Sequence, residues 1–250
     1  MNFSSQHSDK LKRDLPGCSR SQALAYLPSW NHSNSPNHKT VVCIEGNIGC
    51  GKTTLLNYFE AFQNCEVLAE PVEKWRNVEG YNALGLMYTD PERWGMALQT
   101  YIQLTMLQNH NQPQVKDVRL MERSIYSAKY CFTDNLFESG KMPGIEHVIL
   151  TKWYDWILST QNIQVDLFVY LRTDPELLHQ RIMKRCRKEE EGIPVDLLKA
   201  LHEKYEDWLI HKKDPCPAEV LVIDANQSLE EMQECYETYK SKILVSQTVV

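Results

Sequence analysis

From Thr40 onward the chain alternates two textures. Short runs dense in β-branched and other apolar residues occur at TVVCIE (40–45), CEVLAE (65–70), VRLME (118–122), DLFVYL (166–171) and EVLVID (219–224). Longer stretches lie between them, with apolar positions recurring every three to four residues over 52–63, 92–112, 124–139, 145–161, 174–188, 194–211 and 227–243. A short apolar run bounded by polar residues or glycine marks a strand buried on both faces, and the longer period marks a helix. Strands alternating with helices predict a doubly wound α/β fold, a five-stranded parallel sheet with helices on both sides. Ligands of such sheets bind at the carboxyl ends of the strands. No internal repeat is present.

Residues 1–38 show neither texture. They are rich in Ser, Asn and His, and four basic residues (Lys10, Lys12, Arg13, Arg20) stand against Asp9 and Asp14. The segment reads as a disordered tail or as an organelle-targeting presequence, and a single domain is expected over 39–245. Mitochondrion and cytoplasm both stay open as compartments.

Composition then excludes several classes. The chain has 250 residues, 42% of them hydrophobic, enough to bury one sizeable core. With 27 Lys+Arg against 33 Asp+Glu the net charge is -6, which argues against broad electrostatic binding to nucleic acid or anionic membranes. No apolar stretch reaches the roughly 18–20 residues that span a bilayer, and the opening MNFSSQHSDKLKR lacks the apolar core of a secretory signal. The cysteines (Cys18, Cys43, Cys50, Cys65, Cys131, Cys186, Cys216, Cys235) form no C-x-x-C pair and no zinc-spaced cluster, so reduced thiols in an intracellular protein are expected. His202-Glu203 begins like H-E-x-x-H, but Glu206 occupies the second histidine's place.

The sharpest chemical signal is Gly46-Asn47-Ile48-Gly49-Cys50-Gly51-Lys52-Thr53, followed by Thr54, which fits G-x-x-x-x-G-K-[ST] between a predicted strand and a predicted helix. Its glycines let backbone N–H groups turn inward around phosphate oxygens while the helix points its positive end at them. Lys52 supplies a charge to the outer phosphates, and the Thr53 hydroxyl can ligate Mg²⁺. This is a nucleoside triphosphate site. The base-recognition segment N-K-x-D of a GTPase is missing.

Groups at the other strand ends refine the reading. Glu70, before Pro71, is either a solvated loop acid or a base able to take a proton from an attacking hydroxyl. Glu122 is placed to hold Mg²⁺ directly or through water, and Arg123 to stabilise charge on a transferring phosphoryl group. Over 174–188 a basic cluster gathers Arg181, Lys184, Arg185, Arg187 and Lys188, with Arg181, Lys184 and Lys188 on one helical face and Arg185 and Arg187 elsewhere. Gly192 and Pro194 interrupt the chain just after, which suits an Arg-rich lid closing over phosphates.

With these residues assembled, the chain resembles the P-loop kinases of the deoxyribonucleoside kinase family, nearest the insect multisubstrate and mitochondrial-type thymidine kinase branches. The resemblance runs from about Val41 to Leu244 through EGNIGCGKTT, EPVEKWRN, LMYTDPERWGMALQTYIQLTML, MERSIYSAKYCF, VYLRTDPE, RCRKEEEGIP and HEKYEDWLIH. It implies transfer of the γ-phosphoryl group of ATP, with Mg²⁺, to the 5′-hydroxyl of a deoxynucleoside in nucleotide salvage. By position it implies that Glu70 is the general base and Arg123 its partner. Tyr88 and Glu190 match the pair that holds the sugar 3′-hydroxyl. Gln99 matches the base-reading amide, and Trp75, Ile102, Met106, Ala128 and Phe132 match the pocket walls. Arg181, Arg185 and Arg187 match lid positions, and a homodimer is implied. Arg and Asp stand at the Met106 and Ala128 positions in the deoxycytidine kinase branch. The neutral pair here favours thymidine and deoxycytidine together, with purines unresolved. Cys50, where Ser or Ala is frequent, opens the question of sensitivity to oxidation.

Helical spacing supports the pocket independently, since Gln99, Ile102, Gln103 and Met106 share one face. A Gln carboxamide offers an acceptor and two donors and can flip, matching N3–H and O4 of thymine one way and N3 and the amino group of cytosine the other. Trp153, Tyr154, Trp156 and Ile157 are shared between core and dimer surface in proportions that the sequence leaves open. Two rival readings remain: a nucleoside monophosphate kinase, for which an acid at Glu70 is awkward, and a non-catalytic nucleotide-binding subunit of the same fold.

Overall fold

A computed structural model describes residues 39–185, 187, 190 and 192–244. The expected tail over 1–38, the lid residue Lys188 and the last residue of the expected domain, Val245, lie outside the described residues, as do Cys18 and Cys186. The other six cysteines are free thiols.

The five predicted strands form one sheet: β1 (Thr40–Glu45), β2 (Cys65–Leu68), β3 (Val118–Glu122), β4 (Leu167–Arg172) and β5 (Glu219–Asp224). All pairings are parallel, in the order β2-β3-β1-β4-β5. Alternation along β1 explains why Val41, Val42, Cys43 and Ile44 are all apolar. Val42 and Ile44 enter one core with Leu55, Leu56 and Phe59, while Val41 and Cys43 enter the opposite core with Met121, Phe168, Tyr170 and Trp208. The chain leaves β1 flanked by β3 on one side and β4 on the other, so a crevice opens at the carboxyl end of β1.

The helices are α1 (Lys52–Glu60), α2 (Val72–Arg76), α3 (Ala83–Thr89), α4 (Pro91–His110), α5 (Ile125–Ser127, Ala128–Thr133 and Asp134–Glu138 in succession), α6 (Gly144–Thr160), α7 (Pro175–Arg185), α8 (Val195–Tyr205 continuing through Glu206–Ile210) and α9 (Leu229–Ile243). The patterned stretches thus become helices, with three differences. The sequence pattern marks neither α2 nor α3, because five and seven residues are too few to show a period. A side-chain cap opens α3, where Asn82 accepts from the Gly85 N–H at 2.8 Å, and Asp90 then caps α4 by accepting from Arg93 N–H where Pro91 opens it; α2 starts at Pro71 with no side-chain cap. Within α5 and at the end of α8 the turn widens to π-helix over Ala128–Thr133 and Glu206–Ile210. Finally, β2 stops at Leu68, opposite Met121, so Glu70 lies beyond the sheet and does not end a strand. Pro71, which cannot donate to a ladder, follows it.

Among the described residues no helix is long and apolar enough to cross a membrane.

Candidate active site

The loop after β1 is shaped by backbone that only glycine tolerates well. Gly46 has φ 140°, and a Cβ there would meet the Cys50 sulfur at 2.7 Å and the Leu171 carbonyl oxygen at 2.8 Å. Gly51, at φ 99°, caps α1 in the left-handed region. Lys52 is buried, and its ammonium donates to the carbonyls of Gly46 (3.1 Å) and Asn47 (2.8 Å). Asn47 fastens the loop to α8: its Nδ2 donates to the Leu198 carbonyl at 2.8 Å and its Oδ1 accepts from Ile48 N–H at 2.8 Å. Ile48, Gly49, Cys50, Gly51, Lys52, Thr53 and Thr54 line a cleft of about 600 Å³ at the mouth of the sheet. Gly46 and Asn47 stand behind that wall and shape it.

Arg123 is the focus of the charged cluster. Its φ of 60° is unusual for a residue with a side chain, and its N–H donates to the Ile44 carbonyl at 2.9 Å. The guanidinium donates from Nη1 to Glu70 Oε2 (2.5 Å), from Nε to the Tyr205 hydroxyl (3.3 Å) and from Nη2 to the Gly46 carbonyl (3.4 Å). Phe132 lies under it, 4.9 Å from ring centre to Cζ. Burial, reinforced by nearby Glu122, raises the pKa of Glu70 above the ordinary carboxylate value even though Arg123 and Lys52 pull it down. A carboxylate so placed holds its charge reluctantly, which favours accepting a proton.

Thr53 donates its hydroxyl to Glu122 at 3.1 Å. Hydroxyl and carboxylate are the hard oxygen donors that Mg²⁺ takes. Among the described residues no cluster of three or more His, Cys, Asp or Glu forms a metal cage. The pair therefore fits an ion that draws the rest of its shell from phosphate and water.

On the other side of Glu70 the cleft becomes apolar. Trp75, Leu98, Ile102, Met106 and Ala128 form a small cluster of their own, with Val72, Leu84 and Met87 at its edge. Trp75 Nε1 donates to the Thr105 hydroxyl at 2.9 Å, which fixes the indole as a wall. Gln99, 2% exposed, lies among these side chains and lines the cleft. Gln103 does not join it: its amide donates to the Leu150 carbonyl of α6, at 3.3 Å, and it is absent from the cleft wall. The helical face shared by the two glutamines is thus split between pocket and helix packing. Tyr88 and Glu190 are close enough that, after burial, the Glu190 charge is the next cause holding the phenol in its protonated form.

The arginines of the basic segment have partners although Arg185 and Arg187 are exposed. Arg181 donates to the carbonyls of Ala225 (2.9 Å) and Gln227 (3.0 Å), tying α7 to the loop after β5. Arg185 donates from Nε to Glu190 at 2.6 Å, and Arg187 reaches the same carboxylate at 3.4 Å. All three arginines and Glu190 line the cleft. Helical phase separates Arg185 and Arg187 from Arg181, but α7 ends at Arg185 and Glu190 gathers both from beyond it.

The deoxynucleoside kinase family profile matches residues 42–247. The chain belongs to the deoxynucleoside kinase family. Mitochondrial thymidine kinase 2 from Homo sapiens is 52% identical over 230 residues, covering 92% of this chain and 86% of that protein. Deoxycytidine kinase from Mus musculus is 35% identical over 240 residues, covering 84% of this chain and 92% of its own. The chain is accordingly an enzyme, a P-loop kinase acting on deoxynucleosides.

Buried groups that contact the cleft residues, and that the sequence pattern does not flag, include Glu45, Ser124, Tyr205 and Thr133. Glu45 ends β1 and is fully buried, with its pKa raised to about 7, chiefly by that burial. It accepts from the Ser124 hydroxyl at 2.6 Å and from the Tyr205 hydroxyl at 3.4 Å. The available signal was a charge closing an otherwise apolar strand. Arg76, Met232 and Tyr236 also line the cleft, and no spacing rule points to them.

Proposed function

We propose that this kinase transfers the γ-phosphoryl group of ATP to the 5′-hydroxyl of thymidine and of deoxycytidine, with purine deoxynucleosides as weaker acceptors. The carrying observation is the Glu70–Arg123 pair at 2.5 Å, set in one cleft between the phosphate loop and the pocket lined by Gln99. In this reading the Glu70 carboxylate takes the 5′-hydroxyl proton as that oxygen bonds to the γ-phosphorus and the bond to the ADP oxygen breaks. Arg123 holds Glu70 and balances the charge on the transferring group. Lys52, the loop N–H groups, Arg181, Arg185 and Arg187 bind phosphate oxygens. Tyr88 and Glu190 hold the sugar 3′-hydroxyl, and Gln99 reads the base between Trp75, Ile102, Met106, Ala128 and Phe132. Thr53 and Glu122 would hold Mg²⁺, which when bound supplies charge that draws phosphate oxygens together.

The domain is proposed to span 39–245, and the names of the thymidine kinase relatives support the mitochondrion as its compartment. A homodimer is proposed through α6, which exposes Ile145, Val148, Trp153 and Trp156, and α4, which packs against it and exposes Leu104.

The test is phosphoryl transfer from Mg·ATP across thymidine, deoxycytidine, deoxyadenosine, deoxyguanosine and thymidine monophosphate. Product from both pyrimidine nucleosides supports the reading. Transfer to thymidine monophosphate alone, or to no acceptor, overturns it.

A further inference from the structure

Gln99 has a neighbour that no motif predicts. Thr133, fully buried, ends the π-helical turn of α5, and its hydroxyl oxygen lies 3.3 Å from Gln99 Oε1 and 2.9 Å from the carbonyl oxygen of Ala128. The hydroxyl has one proton and two lone pairs. Two acceptors therefore compete for a single proton, and the widened turn supplies the second of them by bringing the Ala128 carbonyl within reach five residues back. Among the described residues, Thr133 is the group bonded to the Gln99 carboxamide.

This arrangement is indifferent to which way the carboxamide faces. With Oε1 toward Thr133, the hydroxyl donates to it. With Nε2 toward Thr133, the proton turns to Ala128 and the freed lone pair accepts from the amide. We infer that Thr133 is a specificity-determining residue, whose rotating hydroxyl satisfies Gln99 in both orientations and so keeps both pyrimidine bases as substrates. The inference rests on the reading of Gln99 as the group that faces the base.

An apolar residue at 133 removes that indifference unequally. A carbonyl oxygen that loses the hydroxyl still accepts from the base, whereas an amide N–H turned to a methyl group is left unpaired in a buried place, which proteins tolerate less well. The base that needs Nε2 turned toward position 133 is then the one penalised.

The experiment measures kcat/KM for thymidine and for deoxycytidine, separately, in wild type, Thr133→Val and Thr133→Ser. Thr133→Val is expected to shift the ratio of the two by about fivefold or more, mainly through KM, the scale of one buried polar atom left without a partner. Thr133→Ser keeps the hydroxyl and is expected to hold the ratio within about twofold of wild type, the margin below which a single hydrogen bond is not resolved. If Thr133→Val does not fold, Thr133→Ala answers the same question. A ratio in the Val or Ala variant that stays within that twofold margin overturns the inference, as does a shift in the Ser variant as large as that in Val. Gln99→Leu separates the two readings. If it leaves both KM values unchanged, base reading by Gln99 fails. If it raises them while Thr133→Val leaves the ratio alone, only the role of Thr133 falls.

Discussion

Glu70 sits where two demands oppose each other. Arg123 at 2.5 Å keeps it oriented, yet a carboxylate fully satisfied by a guanidinium would be a poor base. Burial tips the balance, and it raises the Glu70 pKa. Glu70→Gln keeps the shape and loses the basicity, so turnover is expected to fall by about 100-fold or more while the fold survives. Near-normal kcat in that variant, with unchanged thermal unfolding, contradicts the role. Glu45 gives a second expectation, this time for stability. Its folded pKa is raised from an ordinary 4.5 to about 7, chiefly by burial, so between those values the folded chain binds the proton that the unfolded chain has released. Stability from this group is therefore greatest below about pH 4.5 and is lost as pH rises through about 7. Glu45→Gln carries no such dependence. The variant's stability relative to wild type is expected to rise by up to about 3 kcal/mol between acid and neutral pH, measured by urea unfolding at several pH values. Parallel wild-type and variant curves would argue that Glu45 does not titrate in this range. Glu70 was singled out in the sequence because it closes an apolar run before Pro71, and the family resemblance then gave it a role. Glu45 was not, since burial of a charge is a property of the sheet's two covered faces and leaves no mark on spacing.

Elements show the same division between what a pattern encodes and what packing adds. The long helices and the strands repeat their apolar positions often enough to be read directly. The short helices α2 and α3, which carry Trp75 and Tyr88, are held by contact with each other and with α4, and α3 also by its asparagine cap. Both π-helical turns escape a period of 3.6 for the opposite reason: they extend a helix whose pattern continues while its backbone widens. That widening has a use, since it brings the Ala128 carbonyl to Thr133. The phosphate loop shows how an element is anchored from outside itself. Asn47 is 3% exposed and reaches α8 through one hydrogen bond while holding its own loop with another. Asn47→Ala removes both and leaves the Leu198 carbonyl without this donor. A loss of about 1–3 kcal/mol in stability and a raised KM for ATP are expected, read by thermal unfolding and by initial rates at varied ATP. An unchanged KM would mean that the loop keeps its shape without the tether.

For the molecule as a whole, the sheet order opens the crevice at the carboxyl end of β1, where Glu122 ends β3 and Arg123 follows it, so the strand pattern already located the cleft before any side chain was positioned. What the pattern left open was the division of the aromatic stretch on α6. Tyr154 is 3% exposed and Ile157 4%, packed in the core, whereas Trp153 and Trp156 are 53% and 49% exposed. Helical periodicity alone allows either assignment, because residues 153 and 157 lie on one face and 154 and 156 straddle its border. Ile145, Ile149, Trp153 and Trp156, all exposed, follow one another at helical spacing along α6 as an apolar strip, and α4, which packs against α6, exposes Leu104. An isolated apolar side chain on a surface needs no explanation, but a contiguous strip of this kind costs hydration that a second copy would relieve. The proposed dimer therefore predicts that Trp153→Glu combined with Trp156→Glu places like charges against each other across a two-fold axis. Sedimentation velocity is expected to show the wild type as a dimer and the double variant as a monomer with the same far-ultraviolet circular dichroism. Neither tryptophan lines the cleft beside the phosphate loop, so residual kinase activity in the monomer would measure how far each subunit works alone. A wild-type protein that sediments as a monomer at micromolar concentration would remove the dimer from the account and leave the strip as a surface for some other contact.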